Sequence, residues 1–286
     1  MSAIKTILVP VDESTTAAVP LETAFRLADA FSCHVTVLHV RPDPTLAIPM
    51  VGEGMSGAMV EEMLGMAERQ SGEQAAAVRA IYDATRLRHP LQEASAPPVA
   101  QASCCWVERT GRSEDLTAWH GRLHDLIVMP RPEPHAVDGS ASLNAALMDS
   151  GRPLLLTPPA EVPAAPLNVA IAWNGSAEAA RAVAHAAPLL AIAHTVTILT
   201  AAESDCDSAA GQELAQALAW HGIQAGTRSI PAGGHAGPAL LAECRAVGAN
   251  LLVMGAYTHS RLRQLILGGV TRHVLSHAEL PVLLCH

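Results

Sequence analysis

The chain contains an internal repeat, and this repeat limits the possible folds more than any other feature. The stretch TILVPVDESTTAAVPLETAFRLADAFSCHVTVLHV (6–40) resembles NVAIAWNGSAEAARAVAHAAPLLAIAHTVTILTA (168–201). Further along, DLIVMP (125–130) resembles NLLVMG (250–255), and RPLLLTP (152–158) resembles LPVLLCH (280–286). Self-similarity with a long period indicates that one structural unit occurs more than once. We therefore predict two copies of one domain.

A proline-rich segment separates the two copies. TPPAEVPAAP (157–166) has four prolines in ten residues, which favours an extended, semi-rigid linker. We predict a first domain over 1–158, a linker over 159–166 and a second domain over 167–286.

Each copy alternates apolar runs with helical patterns. Runs such as ILVPV, VTVLHV, LLVMG and PVLLC are continuously aliphatic, which is typical of strands buried on both faces of a parallel sheet. Helical patterns are predicted near 17–32, 58–88, 112–123, 177–193, 208–221 and 237–248. This alternation predicts an α/β fold with a doubly wound, mostly parallel sheet in each copy. Ligands of such sheets bind outside the carboxyl ends of the strands.

Composition excludes several classes of protein. Half of the residues are hydrophobic and 16% are charged, which is a globular composition. The net charge of −9 argues against a sequence-independent nucleic-acid binder. No uninterrupted apolar run reaches the roughly 18 residues of a membrane span, and the N-terminus lacks a signal-peptide pattern. We therefore expect a cytoplasmic protein with no membrane partner.

The six cysteines show no CxxC spacing, and we expect small buried side chains rather than disulfides or metal ligands.

The segment LLVMGAYTHSRLRQLILGGVTRHVL (251–275) predicts an anion site. Gly255 ends an apolar strand, and Gly268 with Gly269 precedes a helical pattern, so backbone N–H groups at a helix start would face the crevice. Arg261, Arg263 and Arg272 supply guanidinium groups that match phosphate oxygens. The alternative is that these arginines only form a solvated face.

The whole chain resembles a tandem universal stress protein, with two UspA-type domains. The resemblance is carried by ILVPVDES, by AWNGSAEAARAVAHAAPLL and by the terminal LLVMGAYTHSRLRQLILGGVTRHVLSHAELPVLLCH. It implies the UspA fold, with two five-stranded sheets. It also implies that the last strands, PLLLTP and PVLLCH, pair across a pseudo-twofold within the chain, which would protect two edges. Further homodimerisation stays open.

The resemblance also implies a nucleotide site. Nucleotide-binding members carry G-x2-G-x9-G followed by Ser or Thr around the phosphates and ribose of ATP, and an Asp after the first strand. The candidate site residues are Asn174, Gly255, Thr258, Arg261, Gly268, Gly269 and Thr271, with Asp12 in the first copy.

This sequence departs from the family pattern at three positions of the second copy. Thr258 stands where the middle glycine would be, Gly269 where the Ser or Thr would be, and Asn174 where the Asp would be. Thr271 lies close enough to replace the missing hydroxyl. Asn174 can still both accept from and donate to a ribose hydroxyl.

The first copy keeps Asp12 but loses the loop. Pro130 replaces the first glycine, and Pro153 follows Met129 by 24 positions, whereas Pro281 follows Met254 by 27. We expect this copy to be empty or to bind something else. Asp12 has an alternative role in a helix-capping turn with Ser14 and Thr15.

Two classes of function follow. The first is a stress-response module that binds ATP or a related adenine nucleotide, with or without Mg²⁺, and turns it over slowly or not at all. The second is a ligand-free interaction protein of the same fold. No GxSxG, no Walker motif and no paired Cys and His signature is present, so we expect no enzyme.

The pairs His120/His124 and His273/His277 have a helical ligand spacing but lack the HExxH glutamate, and we predict no metal. The segment 42–63 is either a flap or a loop that leads into a long helix.

Overall fold

The computed structural model describes residues 4–12, 17–43, 57–89, 91–97, 101–132, 141–160, 166–202, 205–231, 236–256 and 269–286. Strands and helices alternate through both halves of the chain. The first half contains β1 (Thr6–Val11), α1 (Ala18–Phe31), β2 (His34–Arg41), α2 (Gly57–Arg88), β3 (Gln92–Glu93), β4 (Ser103–Thr110), α3 (Ser113–Gly121), β5 (Leu126–Pro130), α4 (Ala141–Met148) and β6 (Leu154–Thr157). The second half contains β7 (Asn168–Trp173), α5 (Ala177–Ala191), β8 (Thr195–Ala202), α6 (Asp205–Ala219), β9 (Gly226–Pro231), α7 (Ala236–Ala246), β10 (Leu251–Gly255), α8 (Gly269–His277) and β11 (Val282–Cys285).

All strands of the described residues join one eleven-stranded sheet in the order β3-β4-β2-β1-β5-β6-β11-β10-β7-β8-β9. Within each half the strands are parallel, and only β6 and β11 pair antiparallel. The predicted α/β fold with two five-stranded, doubly wound sheets is confirmed, with the short β3 as an addition in the first half. The predicted pairing of the two last strands is also present. The strands of the two halves run in opposite directions. The carboxyl ends of the first half therefore lie on the opposite side of the molecule from those of the second half.

Helices cover both faces of this sheet. On one face, alternate strand residues such as Val9 and Val253 pack in a core with Phe25 of α1 and Leu190 of α5. The intervening strand residues, such as Leu8 and Leu252, point to the other face and pack with Leu147 of α4 and Leu275 of α8. Both cores include residues of both halves, so the hydrophobic interior is continuous across the β6–β11 pair. This explains why the strand sequences are aliphatic at every position rather than at alternate ones.

The predicted helices are found within a few residues of their expected bounds. Of segment 42–63, residues 44–56 lie outside the described part, while 57–63 form the first turns of α2. β6 ends at Thr157 and β7 begins at Asn168, with 161–165 of the proline-rich segment outside the described residues. The exact domain boundary stays a prediction.

None of the helices in the described ranges is both long enough and apolar enough to cross a bilayer.

Candidate functional site

The candidate site lies where the strand order of the second half reverses. β7 pairs with β10 on one side and with β8 on the other, so the chain leaves the carboxyl ends of β7 and β10 in opposite directions. This arrangement opens a crevice between the two strand ends. A cavity of about 240 Å³ occupies it. The cavity is lined by Ala172, Trp173, Asn174, Leu199, Ala201, Ile230, Ala236, Leu240, Met254, Gly255, Gly269, Val270 and Thr271.

Four of the predicted site residues meet in this cavity. Asn174 follows β7, Gly255 ends β10, and Gly269 and Thr271 belong to the first turn of α8. Thr258, Arg261 and Gly268 lie outside the described residues, as does Arg263. Asp12 follows β1 and therefore belongs to the equivalent crevice of the other half. The structure thus brings together residues that are far apart in sequence, while their role in binding stays a prediction.

Asn174 has its side chain partly engaged in the turn that starts α5. Its Oδ1 accepts a hydrogen bond from the backbone N–H of Ser176 at 3.1 Å. Ser176 is the N-cap of α5, and its Oγ accepts from the N–H of Ala179 at 3.2 Å. This bond uses one of the two lone pairs of Oδ1, so the carbonyl oxygen can accept a second hydrogen bond. Its Nδ2 group is the donor that a ligand in the crevice can use.

Gly255 is a glycine for a different reason than the sequence suggested. A Cβ at this position would lie 2.5 Å from the backbone N of Ala179 and 2.7 Å from the backbone C of Glu178. These are backbone atoms of the first turn of α5, and they cannot rotate away. Gly255 is also absent from the described glycines with positive φ. The glycine therefore lets β10 pack directly against α5, and its presence alone does not indicate an anion.

The N-terminus of α8 supplies the polar end of the cavity. Gly269 is exposed, and a Cβ there would meet no atom within 4 Å. Thr271 is 6% exposed and lines the cavity. The unpaired N–H groups and the dipole at a helix N-terminus favour a negatively charged ligand. Arg272, in contrast, is exposed and does not line the cavity.

The rest of the cavity is apolar. Its lining includes Leu199, Ile230, Leu240 and Met254, and none of the described lining residues has a charged side chain. A site with apolar walls and a few polar groups at one end is typical of small-molecule binding sites.

The equivalent crevice of the first half is built differently. Pro130 ends β5 in the position of Gly255, and Pro132 follows it. Arg131 lies between these two prolines and contacts the other half of the chain, where its Nη1 donates to the carbonyl of Leu275 in α8 at 3.1 Å. Beside Val11, the buried His39 donates from Nδ1 to the Val11 carbonyl at 3.2 Å and stacks on Trp106. No sequence motif indicated this imidazole.

The two histidine pairs bond within their own helical segments. Nδ1 of His124 donates to the His120 carbonyl at 2.7 Å, and Nδ1 of His277 donates to the His273 carbonyl at 2.9 Å. Within the described ranges, no group of three or more His, Cys, Asp or Glu side chains could hold a metal ion.

Both halves match one protein family. The model of the universal stress protein family matches residues 3–139 and 167–286. The chain belongs to the universal stress protein family. Two matches in one chain make it a tandem member, as the repeat predicted.

Solved structures support this fold. A universal stress protein from Archaeoglobus fulgidus DSM 4304 superposes with a TM-score of 0.64 at 17% identity, covering 98% of this chain and 95% of its own. A protein of unknown function from Pseudomonas aeruginosa PAO1 gives a TM-score of 0.59 at 15% identity, covering 99% of this chain and 92% of its own. At these identities the likeness concerns the fold alone. Among curated proteins, no significant match to this universal stress protein was found.

Proposed function

We propose that the second domain of this universal stress protein binds ATP or a related adenine nucleotide in the crevice between β7 and β10. The observation that carries the proposal is that Asn174, Gly255, Gly269 and Thr271 line a single cavity. The sequence predicts all four as nucleotide-site residues, and they lie in or directly after three separate elements.

The cavity suggests which part of a nucleotide goes where. Its volume of about 240 Å³ lies just below the usual range of small-molecule sites, so it suits the base rather than a whole nucleotide. A purine ring would lie between the apolar walls, which include Leu199 and Ile230. The phosphates would extend to the N-terminus of α8, where backbone N–H groups and the Thr271 hydroxyl can donate. Nδ2 of Asn174 would donate to a ribose oxygen.

We propose that this module binds without efficient turnover. Phosphoryl transfer is accelerated by charged groups that neutralise the phosphates and by a residue that orients the nucleophile. The described lining residues include no carboxylate, imidazole or amine. The proposed role is a stress response that depends on whether the nucleotide is bound and not on its hydrolysis.

A ligand-free interaction protein is the second candidate. It is favoured by one observation: packing against Glu178 and Ala179 accounts for Gly255 without any ligand. The two candidates differ in a simple measurement of ligand-dependent stability.

The test is the thermal midpoint with and without millimolar ATP and Mg²⁺, with ADP and AMP as further probes. A ligand at about 100 times its dissociation constant stabilises a protein by roughly 2.7 kcal/mol, which raises the midpoint measurably. Gly269→Val should remove this shift, because the new side chain would project into the open space at the cavity mouth. Gly57→Val is the matched control, since Gly57 also begins a helix with open space around its Cβ.

The outcomes separate the two candidates. A wild-type shift that survives in Gly57→Val but not in Gly269→Val supports nucleotide binding at this site. If no adenine nucleotide shifts the wild-type midpoint, the proposal is wrong and the interaction protein is favoured. If the nucleotide still raises the midpoint of Gly269→Val, the nucleotide binds at a different site.

A further inference from the structure

The N-terminal half of α2 projects beyond the sheet. Ser71 lies level with the end of β2, because its Oγ accepts a hydrogen bond from Nε of Arg41, the last residue of that strand, at 3.2 Å. Tyr82 lies further along, level with the start of β4, where its hydroxyl is 3.4 Å from the sulfur of Cys104. All buried residues of α2 lie at or after Ser71. Residues 57–70 therefore continue past the carboxyl ends of the strands, over about four helical turns.

This projecting half carries an apolar stripe. Met59, Met63 and Met66 are spaced by four and three residues, which places them on one face of the helix. They are 52%, 50% and 58% exposed. Three large apolar side chains in a row exceed the scattered exposure that any folded protein shows, and methionine adapts its shape to an apolar partner. These three residues, the methionine stripe, form a face suited to packing against another helix.

Two charged residues flank the methionine stripe on the same side. Glu62 precedes Met63 by one position, Arg69 follows Met66 by three, and both are exposed. Because Glu62 and Arg69 are seven residues apart, they hold the same position of a heptad in which the methionines are the central contacts. In an antiparallel pair of helices, this flanking position of one helix faces the same position of the other. A second copy of α2 therefore presents an opposite charge to each of these residues.

The charges also select how the two helices align. When Met63 lies opposite the partner's Met66, Glu62 is displaced by only about 3 Å along the axis from the partner's Arg69. When Met63 instead lies opposite the partner's Met59, the two Glu62 carboxylates come equally close and repel each other. A parallel pair would place Glu62 beside the partner's Ala67 and offer no opposite charge. The antiparallel alignment with two ion pairs is thus favoured over both alternatives.

We propose that two copies of this protein form a twofold dimer through antiparallel packing of their methionine stripes, with Glu62 of each chain beside the partner's Arg69. A contact between two helices over about four turns buries less than the roughly 1,200 Å² of a stable interface, so the dimer should be weak and concentration-dependent. The homodimer that the sequence left open thus forms at α2 and not at the β6–β11 pair, which is satisfied within one chain. This inference does not rest on nucleotide binding.

Sedimentation velocity of the full chain between about 1 and 300 μM measures the dimer, since weak complexes dissociate over such a range. We expect the mass of one chain at the low end and that of two chains at the high end. Met63→Glu should raise the dissociation constant by at least about tenfold, because it places a carboxylate in the centre of an apolar contact. Met148→Glu is the matched control, since Met148 is 43% exposed on α4 and its substitution should leave the dissociation constant unchanged.

Charge reversal tests the alignment of the two helices. Glu62→Arg places two guanidinium groups beside each other across the pair, and Arg69→Glu places two carboxylates there, so each should raise the dissociation constant about threefold or more. The double variant Glu62→Arg/Arg69→Glu restores opposite charges and should return the constant to near the wild-type value. Thermal midpoints of dilute protein, in which single chains predominate, should be the same for all these variants, because the substituted side chains are exposed.

Three results would overturn the proposal. A protein that stays a single chain at the highest concentration contradicts it, as does a dimer that Met63→Glu leaves intact. Methionine-dependent binding of a basic amphipathic peptide by single chains would assign the stripe to a different protein. A double charge variant that dimerises no better than the single ones would show that the antiparallel alignment is wrong.

Discussion

Leu155 and Leu283 are register partners in the antiparallel pair that joins β6 to β11. They hold the same position in the two sequence copies, since each lies two residues after the proline that precedes its strand. On either side, Leu156 pairs with Val282 and Leu154 pairs with Leu284, so the copies exchange roles across this point. The pseudo-twofold relation between the halves is therefore centred on two equivalent leucines.

Truncation of either central leucine should destabilise the whole protein. Leu155 and Leu283 are 3% and 1% exposed and belong to the same core. Leu155→Ala and Leu283→Ala should each lower the free energy of unfolding by about 2–5 kcal/mol. Urea unfolding measures this effect. Leu87→Ala is the matched control, because Leu87 is 84% exposed and should change stability by less than about 0.5 kcal/mol. A negligible effect at both central positions would contradict a shared core.

Glu22 should make the stability depend on pH in the acid range. Its side chain is 8% exposed and bonds to Arg88 and to His89 at the end of α2. Burial raises the pKa of Glu22, but the hydrogen bonds from Arg88 and His89 outweigh this and hold it below the ordinary 4.5. The unfolded chain therefore takes up the proton first. The stabilisation that the ionised Glu22 provides is fully present above about pH 4.5, and it is lost as the pH falls through the lower pKa of the folded state.

Glu22→Gln tests this assignment. The variant should lose about 1–3 kcal/mol at pH 7, because charged hydrogen-bond partners are lost, and its stability should fall less steeply below pH 4.5. Thermal midpoints between pH 3 and pH 7 would show both effects. Glu62→Gln, at an exposed position of α2, is the control. Parallel pH profiles for wild type and Glu22→Gln would refute the assignment.

Two glycines of the candidate site should respond oppositely to alanine. Gly255→Ala places a methyl group 2.5 Å from a backbone atom of α5 and should cost about 1–3 kcal/mol. Gly269→Ala meets open space at the start of α8 and should be neutral or stabilising by up to about 1 kcal/mol. Chemical denaturation distinguishes them. Equal effects would show that packing against α5 does not explain Gly255.

Two fully buried threonines allow a similar comparison. Among the described residues, Oγ1 of Thr117 has no hydrogen-bond partner, whereas Oγ1 of Thr85 donates to the Ile81 carbonyl at 2.9 Å. Thr117→Val should raise the free energy of unfolding by about 1 kcal/mol, because an unsatisfied buried hydroxyl is removed. Thr85→Val should lower it by a similar amount. Should Thr117→Val instead prove the more destabilising change, the hydroxyl must have a partner in solution.

The sequence predicted the architecture well because its signals are strong and local. Continuous aliphatic runs define most strands, and the repeat doubles the evidence for each element. β9 was not predicted, since it lies at the edge of the sheet and only Ile230 among its residues is buried. A strand of this kind has no hydrophobic pattern to reveal it.

The site was only partly predictable, because contacts between distant elements decide what each residue does. The sequence predicted Asn174 and Gly255 in the crevice, but could not show that the Asn174 oxygen also accepts a hydrogen bond within a turn or that α5 packs against Gly255. It also could not show that Nε2 of His34 lies 3.3 Å from Sγ of Cys105, since the two residues are 71 positions apart and are brought together by the pairing of β2 with β4. Local motifs do not encode such contacts.

The opposed strand directions at the β6–β11 pair place one crevice at each end of the molecule. A dimer of identical single-domain subunits would offer the same crevice at both ends, so a second protein could approach from either. Here one end has Gly255 and the other Pro130. Duplication within one chain has thus made the two ends of a pseudo-symmetric molecule chemically different, so a surface that fits one end need not fit the other.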